Sequence, residues 1–391
     1  MAENKKQSDC IALLLENDDL PSYAKNLLSE KKEELGENGK VTDLSFEVDE
    51  ISKLSSSIYP LLKSILVKVQ EDQETSSKTS LIYLDATVSL IDLLMVKVPE
   101  DSTPPETLMN NVGFLNKLLG MDLNIKIKNK ISRVCEVCCF KRFRLSTDFI
   151  KDTLTFLLKY TLDSSRQAPV QDVKRVWKIH ESIKSVNYRN PDFEKLLLQT
   201  VRSNDFVSCK EGQQFIAYLF NLDSDMTKSV HDAIKDYLPF VKKAQATSFG
   251  KIYHLAWTNS EEQRPLFEKY CIQDLMSRIF ELPRATSFME MSILGKNVLA
   301  ILSVLHSSRR LIHLSKIITE LYTPLIWRHL RSGNNIIRCN ATEVFLDVYP
   351  LEKPGLLRSE QKAFLERQHD EMADLLVDNC HVVRILAVKG I

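Results

Sequence analysis

The sequence predicts an all-α fold, a HEAT/armadillo-type α-solenoid of stacked helical hairpins, on three observations. Turn formers are scarce: 10 Gly and 13 Pro in 391 residues, where a sandwich or barrel needs a turn every ten residues or so. Apolar residues recur at steps of three and four, and no convincing alternating strand appears. One segment is also written twice. NNIIRCNATEVFL from Asn334 and NCHVVRILAVKGI from Asn379 align on their arginines. Arg338 and Arg384 stand 46 residues apart, as do Ala341 and Ala387, and Leu330 and Leu376.

The first 50 residues are acidic, broken by GENGK at 36–40, and read as a partly disordered segment with a short helix around CIALLLEN. The solenoid occupies 51–391 and opens with two helices, near 53–70 and 81–98. The polar stretches around 71–80 and 99–107 lack apolar payload and read as mobile loops. A succession of helices follows near 111–119, 125–143, 147–162, 170–187, 191–203, 210–222, 226–243, 246–258, 264–281, 288–306 and 309–331. The last are near 336–349 and 360–377, with another starting at 381.

The repeat accounts for its own spacing. In the first copy the turn SGNN separates two helices, and Ile337, Ala341, Val344, Phe345 and Val348 form one apolar stripe at helical period. The second copy carries Met372, Leu375 and Leu376, then DNCH, then Val383, Ala387 and Ile391. A lone hairpin cannot bury such a stripe; stacked neighbours bury a continuous core, and a period of roughly 40–47 residues belongs to the HEAT/armadillo class. Ala341 and Ala387 allow close helix approach. Arg338 and Arg384, near helix starts, are read as structural, reaching turn carbonyls or a carboxylate of the adjacent rung. Asp378 fits that acidic role, whereas the first copy has Ser332 there. The chain stops at Ile391 on an apolar edge, so the expectation is the N-terminal part of a longer solenoid.

Net charge is zero overall, but residues 1–110 carry 11 Lys and Arg against 21 Asp and Glu, and the remainder 41 against 31. Local basic clusters therefore offer a track for a polyanion without base-specific contacts. The candidate phosphate contacts are Lys141, Arg142 and Arg144 in KRFR, Lys174, Arg175 and Lys178 in KRVWK, Arg309 and Arg310 in SSRRL, and Arg328 and Arg331 in WRHLR. For any single cluster, a solvated helix face is the plainer reading.

Catalytic and metal chemistry find little support. CEVCC (Cys135, Cys138, Cys139) superficially suggests a metal knuckle, but a zinc site needs a second pair at workable spacing. The other cysteines are scattered singly, so buried small hydrophobes are the better reading. His180, His231, His254, His306 and His313 form no HExxH and no triad with local context, and no phosphate loop appears. The three tryptophans read as core packing. No cofactor is expected. MAENKKQSDC lacks an apolar leader core. Asp85, Ser89 and Asp92 put a polar stripe on the longest apolar helix, so no membrane span is expected, and the reading is intracellular and reduced.

LYTPLIWRHLRSGNNIIRCNATEVFLDVYPL (321–351) closely resembles the G-type HEAT-repeat subunits of condensin II. RVWKIHESI, EGQQFIAYLFNLD, IYHLAW, KYCIQDLMSRIFELPR and LLVDNCHVVRILAVKGI match in the same order. The resemblance covers 165–391 well, 111–165 weakly and the first 110 residues hardly at all. It implies a non-catalytic, nuclear, chromosome-bound scaffold that binds the complex's kleisin. Through the complex it meets the SMC ATPase pair and a second HEAT subunit, and it engages double-stranded DNA during mitotic condensation. The alternative is a HEAT adaptor of the transport or phosphatase kind, holding peptides or acidic partners without DNA affinity.

Overall fold

The computed structural model describes residues 11–35, 44–71, 77–99, 102–163, 165, 169–260, 262–285, 290–308 and 312–390. Among these the regular elements are helices, and β pairing is confined to one isolated bridge between Arg284 and Met291. Two compact units divide the chain: residues 1–165 with 178–193, and residues 166–177 with 194–391.

The first unit contains α1 (Ser22–Leu35), α2 (Val48–Glu71), α3 (Ser77–Lys97), α4 (Glu106–Leu118), α5 (Ile125–Phe140) and α6 (Thr147–Leu162), then a 3-10 turn, His180–Ser185. Helix α1 packs on α2, and from α2 onward helices pack on the neighbour and on the helix two places along: α2 on α3 and α4, α3 on α5, α4 on α6. That pattern is the signature of stacked hairpins, in which equivalent helices of successive rungs form two parallel rows. Helix α1 was not legible in the sequence, because its buried Ala24, Leu27 and Leu28 are followed at once by the charged SEKKEEL, which carries no apolar stripe onward. The polar stripe expected on α3 faces α5: Lys130 pairs with Asp85 at 2.5 Å and reaches Ser89. By length and composition Thr79–Lys97 could cross a membrane, and half of it is buried within the protein.

The second unit holds most of α7 (Pro169–Lys178) and α8 (Pro191–Gln199), then α9 (Asn204–Ser208), α10 (Lys210–Phe220), α11 (Ser224–Tyr237) and α12 (Lys243–Asn259). Next, α13 (Arg264–Phe267), a π turn (Glu268–Ile272) and α14 (Gln273–Glu281) follow without a break. It ends with α15 (Ile293–Ser307), α16 (Ile312–Leu330), α17 (Asn335–Val348), α18 (Arg358–Leu376) and α19 (His381–Gly390). One row runs α10, α12, α15, α17, α19, each helix against the next. The other runs α11, the π turn with α14, and α16. This is HEAT/armadillo-type solenoid packing.

Short polar residues start these helices by accepting otherwise orphaned backbone N–H groups. Ser146 accepts from Phe149, Asp223 from Asp225 and Met226, Ser292 from Gly295, and Asn334 from Ile336. Inward faces follow the apolar period. On α17, Ala341, Val344, Phe345 and Val348 are all fully buried, and burying each large one stabilises by about 1.5–3 kcal/mol. Helices α12 and α15 meet so closely at Gly250 that a Cβ would lie 2.7 Å from Val304 Cγ2.

Buried asparagines stitch the two rows. Asn297 of α15 donates to the carbonyls of Leu238 and Val241, both at 2.9 Å, at the end of the α11 rung. Asn340 of α17 donates likewise to Phe280 and Leu282 at the end of α14. Each side chain satisfies carbonyls that the ending helix leaves unpaired. Beside Asn340, the fully buried guanidinium of Arg284 donates to Asn340 Oδ1 and to Glu343 at 2.9 Å.

Several helices are shorter than their apolar periods predict. The expected helix at 170–187 breaks at Lys178 into the His180–Ser185 turn, and 191–203 tightens into a 3-10 turn at Thr200–Arg202. Thr200 Oγ1 donates to Leu197 O at 2.6 Å there, a local bond that competes with helix continuation.

Candidate nucleic-acid interface

The basic candidates fall into different structural roles. Lys141 follows the last residue of α5, and its Nζ donates to the carbonyls of Met95, Val96 and Val98 at 2.5–3.0 Å. It caps the C-terminal end of α3, where the helix dipole favours a cation. Arg142 donates to Glu181 at 2.5 Å in a solvent-exposed pair, worth about 0–1 kcal/mol. Arg175 is held by Asp172 at 2.9 Å, and Lys174 lies 3.7 Å from Glu211. Arg331, on the last turn around α16, donates at 2.6 Å to Glu371, whose carboxylate is almost fully buried. Removing Arg331 would leave that carboxylate uncompensated.

Arg144, Lys178 and Arg328 are exposed and have no ion-pair partner among the described residues. Arg309 and Arg310 lie outside the described residues. The structure brings Lys178 to the same cavity as Arg142, so two clusters distant in sequence meet there. It does not assemble the described candidates into a row of free cations.

The repeated arginines make equivalent contacts. Arg338 donates to Ser332 O at 2.7 Å, and Arg384 donates to the carbonyl of Asp378, the position 46 residues on from Ser332. Arg338 also grips the Asp378 carboxylate with two bonds of 2.9 and 3.0 Å and reaches Asn335 Oδ1. Asp378 Oδ1 in turn accepts from Cys380 N at 2.7 Å. One guanidinium thus ties its own turn to the next. Ala341 and Ala387, each at most 1% exposed, lie on the contacting helices α17 and α19.

Two histidines that look isolated in sequence are buried relays. His231 lies 2.6 Å from Tyr253 Oη and 3.2 Å from Asp274. His306 lies 2.6 Å from Asp347 and 3.0 Å from Tyr322 Oη. A carboxylate only accepts, so the imidazole N–H points to the aspartate in each, and the tyrosine donates to the other nitrogen. The His231 hydrogen bond, then Lys235, holds Asp274 down at about 2, against the effect of burial. Each relay joins three helices. Ser303 donates to Asp347 as well, so one carboxylate oxygen bridges the hydroxyl and His306.

Cys135, Cys138 and Cys139 are buried in α5, where burial pushes all three thiols up, Cys139 to about 12. Cys138 donates to Val134 O. Among the described residues no three His, Cys, Asp or Glu side chains converge as metal ligands. Trp257 and Trp327 are buried, and Trp257 Nε1 donates to Glu268 at 2.9 Å.

Sequence reading missed the asparagine stitches and the relays. A polar residue inside an apolar stripe, as in KNVLAIL or RCNATEV, is the available signal for the first. The relay partners lie 16–43 residues away and leave no local pattern.

Residues 199–353, from the end of α8 to beyond α17, match the family described as condensin II non structural maintenance of chromosomes subunit. Over this stretch the chain is similar to the condensin II non-SMC subunits. Condensin-2 complex subunit G2 of Xenopus laevis is 29% identical over 265 residues, covering 67% of this chain and 22% of the relative. The Homo sapiens protein of the same name is 26% identical over 328 residues, covering 82% of this chain and 28% of the relative. The chain therefore spans between about a fifth and just over a quarter of the length of these condensin II relatives. The family match takes in both asparagine stitches, both relays and the Arg338 turn.

Proposed function

We propose that the chain is a non-catalytic scaffold of condensin II, acting in the nucleus on chromosomes, where it holds the complex's kleisin and contacts duplex DNA during condensation. The observation carrying this reading is the family match across the stacked helices of the second unit. A stack of hairpins presents a long series of turns and helix faces to an extended segment, which gains affinity by spreading over many rungs while it orders. The SMC ATPase pair and the second HEAT subunit are partners through the complex. Exposed Arg328, with Arg309 and Arg310 of the SSRRL cluster, are the preferred phosphate contacts; Arg331 is committed to Glu371.

Phosphate neutralisation releases counterions, so it makes affinity fall with salt at about 0.9 per contact in log–log slope. Arg309→Glu, Arg310→Glu and Arg328→Glu together are expected to weaken duplex binding equally across sequences and to flatten that slope by two to three units. An unchanged slope would rule out these three arginines as the contacts, and no measurable duplex binding by the parent would favour the adaptor reading without DNA affinity. That second reading has its own support, since five of the eight described candidate cations already have partners.

A further inference from the structure

We propose that a cavity in the first unit, between the α5–α6 turn and the His180–Ser185 turn, docks an acidic peptide segment bearing one bulky apolar side chain. The cavity encloses about 540 Å³, within the range of pockets that take a small ligand or a side-chain anchor. Phe143, Leu145, Ile150 and Ile179 contribute its apolar lining. Phe140, also on the wall, is 55% exposed although it ends a helix whose other large apolar residues are mostly buried.

The charged part of the wall is net basic. Arg142 and Lys178 line it, and the carboxylate there, Glu181, is already bonded to Arg142. Arg144 is exposed on the same turn. Arg142 has φ +54°, the one non-glycine residue with positive φ among those described. That backbone state is disfavoured for an L side chain. It accompanies a guanidinium that reaches from the α5–α6 turn to the 3-10 turn, both of which border the cavity.

Apolar lining under a basic rim selects an occupant with the opposite charge and something to bury. An acidic peptide with a phenylalanine or leucine anchor satisfies both demands. A duplex backbone meets the rim but leaves the lining unfilled. This assignment stands apart from the condensin II reading and is tested separately.

The test is fluorescence anisotropy on the whole chain, using a labelled synthetic peptide of Asp, Glu, Gly and Ser with one central Phe. A matched peptide with Ser for Phe and an unlabelled DNA duplex serve as competitors. Binding is expected for the Phe peptide, at least about tenfold weaker for the Ser peptide. Lys178→Glu removes a rim charge, Ser185→Trp narrows the cavity from an exposed position, and Arg142→Gly keeps the turn's φ while deleting the guanidinium. Each is expected to weaken the Phe peptide about tenfold or more, with unchanged circular dichroism. No binding, equal binding of both peptides, or variants that bind like the parent would overturn the proposal. Displacement by duplex with the same variant sensitivity would overturn it in favour of a nucleic-acid site.

Discussion

Arg338→Met should loosen the last rung selectively. The side chains of Arg338 and Asp378 are only 12% and 13% exposed, and the guanidinium makes four contacts: two to the carboxylate, one to Ser332 O and one to Asn335. Breaking a buried pair from one side costs roughly 3–5 kcal/mol, because the surviving charge is left without its partner. Asp378 retains the Cys380 N–H, which places the cost near the lower end, about 3 kcal/mol. At about 1.4 kcal/mol per tenfold, amides protected by closure of this rung should exchange about a hundredfold faster. Hydrogen exchange by mass spectrometry on α18 and α19, with α10–α12 as internal reference, measures this. Arg384→Met is the control: its guanidinium is exposed and donates only to the carbonyls of Asp378 and Asn379, so acceleration should stay below about tenfold. Asp378→Asn combined with Arg338→Met should cost less than the two separately. Equal effects of the two arginine variants, or unchanged exchange in α19, would refute the reasoning.

Asn297→Leu leaves the carbonyls of Leu238 and Val241 buried without their donor and is expected to destabilise the second unit by about 2–3 kcal/mol in urea titrations; a neutral result would show that the stitch contributes nothing. Gly250→Leu forces a side chain against Val304 and Ile301, and proteolysis near α12 and α15 should rise, consistent with an overpacking cost of about 1–3 kcal/mol. Asp274, lowered from 3.8 to about 2 chiefly by the His231 hydrogen bond, stabilises the folded state above its ordinary value. That contribution is lost as pH falls from about 4 through 2. Asp274→Asn should flatten acid unfolding across this window, and a parental acid limb would count against the relay.

The sequence displayed the fold through the spacing of like residues. The 46-residue interval between Arg338 and Arg384 corresponds to equivalent bonds onto Ser332 O and Asp378 O, and the apolar stripe of α17 is the face that is buried. Caps such as Ser146 and Asn334 are bonds between residues two or three apart. Contacts made across rungs were not legible. Lys141 looks like any surface lysine until the carbonyl end of α3 arrives beside it, 43–46 residues away. The basic clusters were visible as composition, but pairing with Glu181, Glu211, Asp172 and Glu371 depends on tertiary placement. Helix lengths were overestimated where a side-chain bond, as at Thr200, ends a period that the apolar residues would have continued.

Co-expression with the condensin II kleisin and SMC pair, followed by gel filtration and quantitative mass spectrometry, tests the central claim most directly. The chain is predicted to elute with the kleisin in equal stoichiometry and to lose that partner when the stacked rungs of the second unit are disrupted. Elution alone, with kleisin and SMC proteins assembling without it, would contradict the assignment.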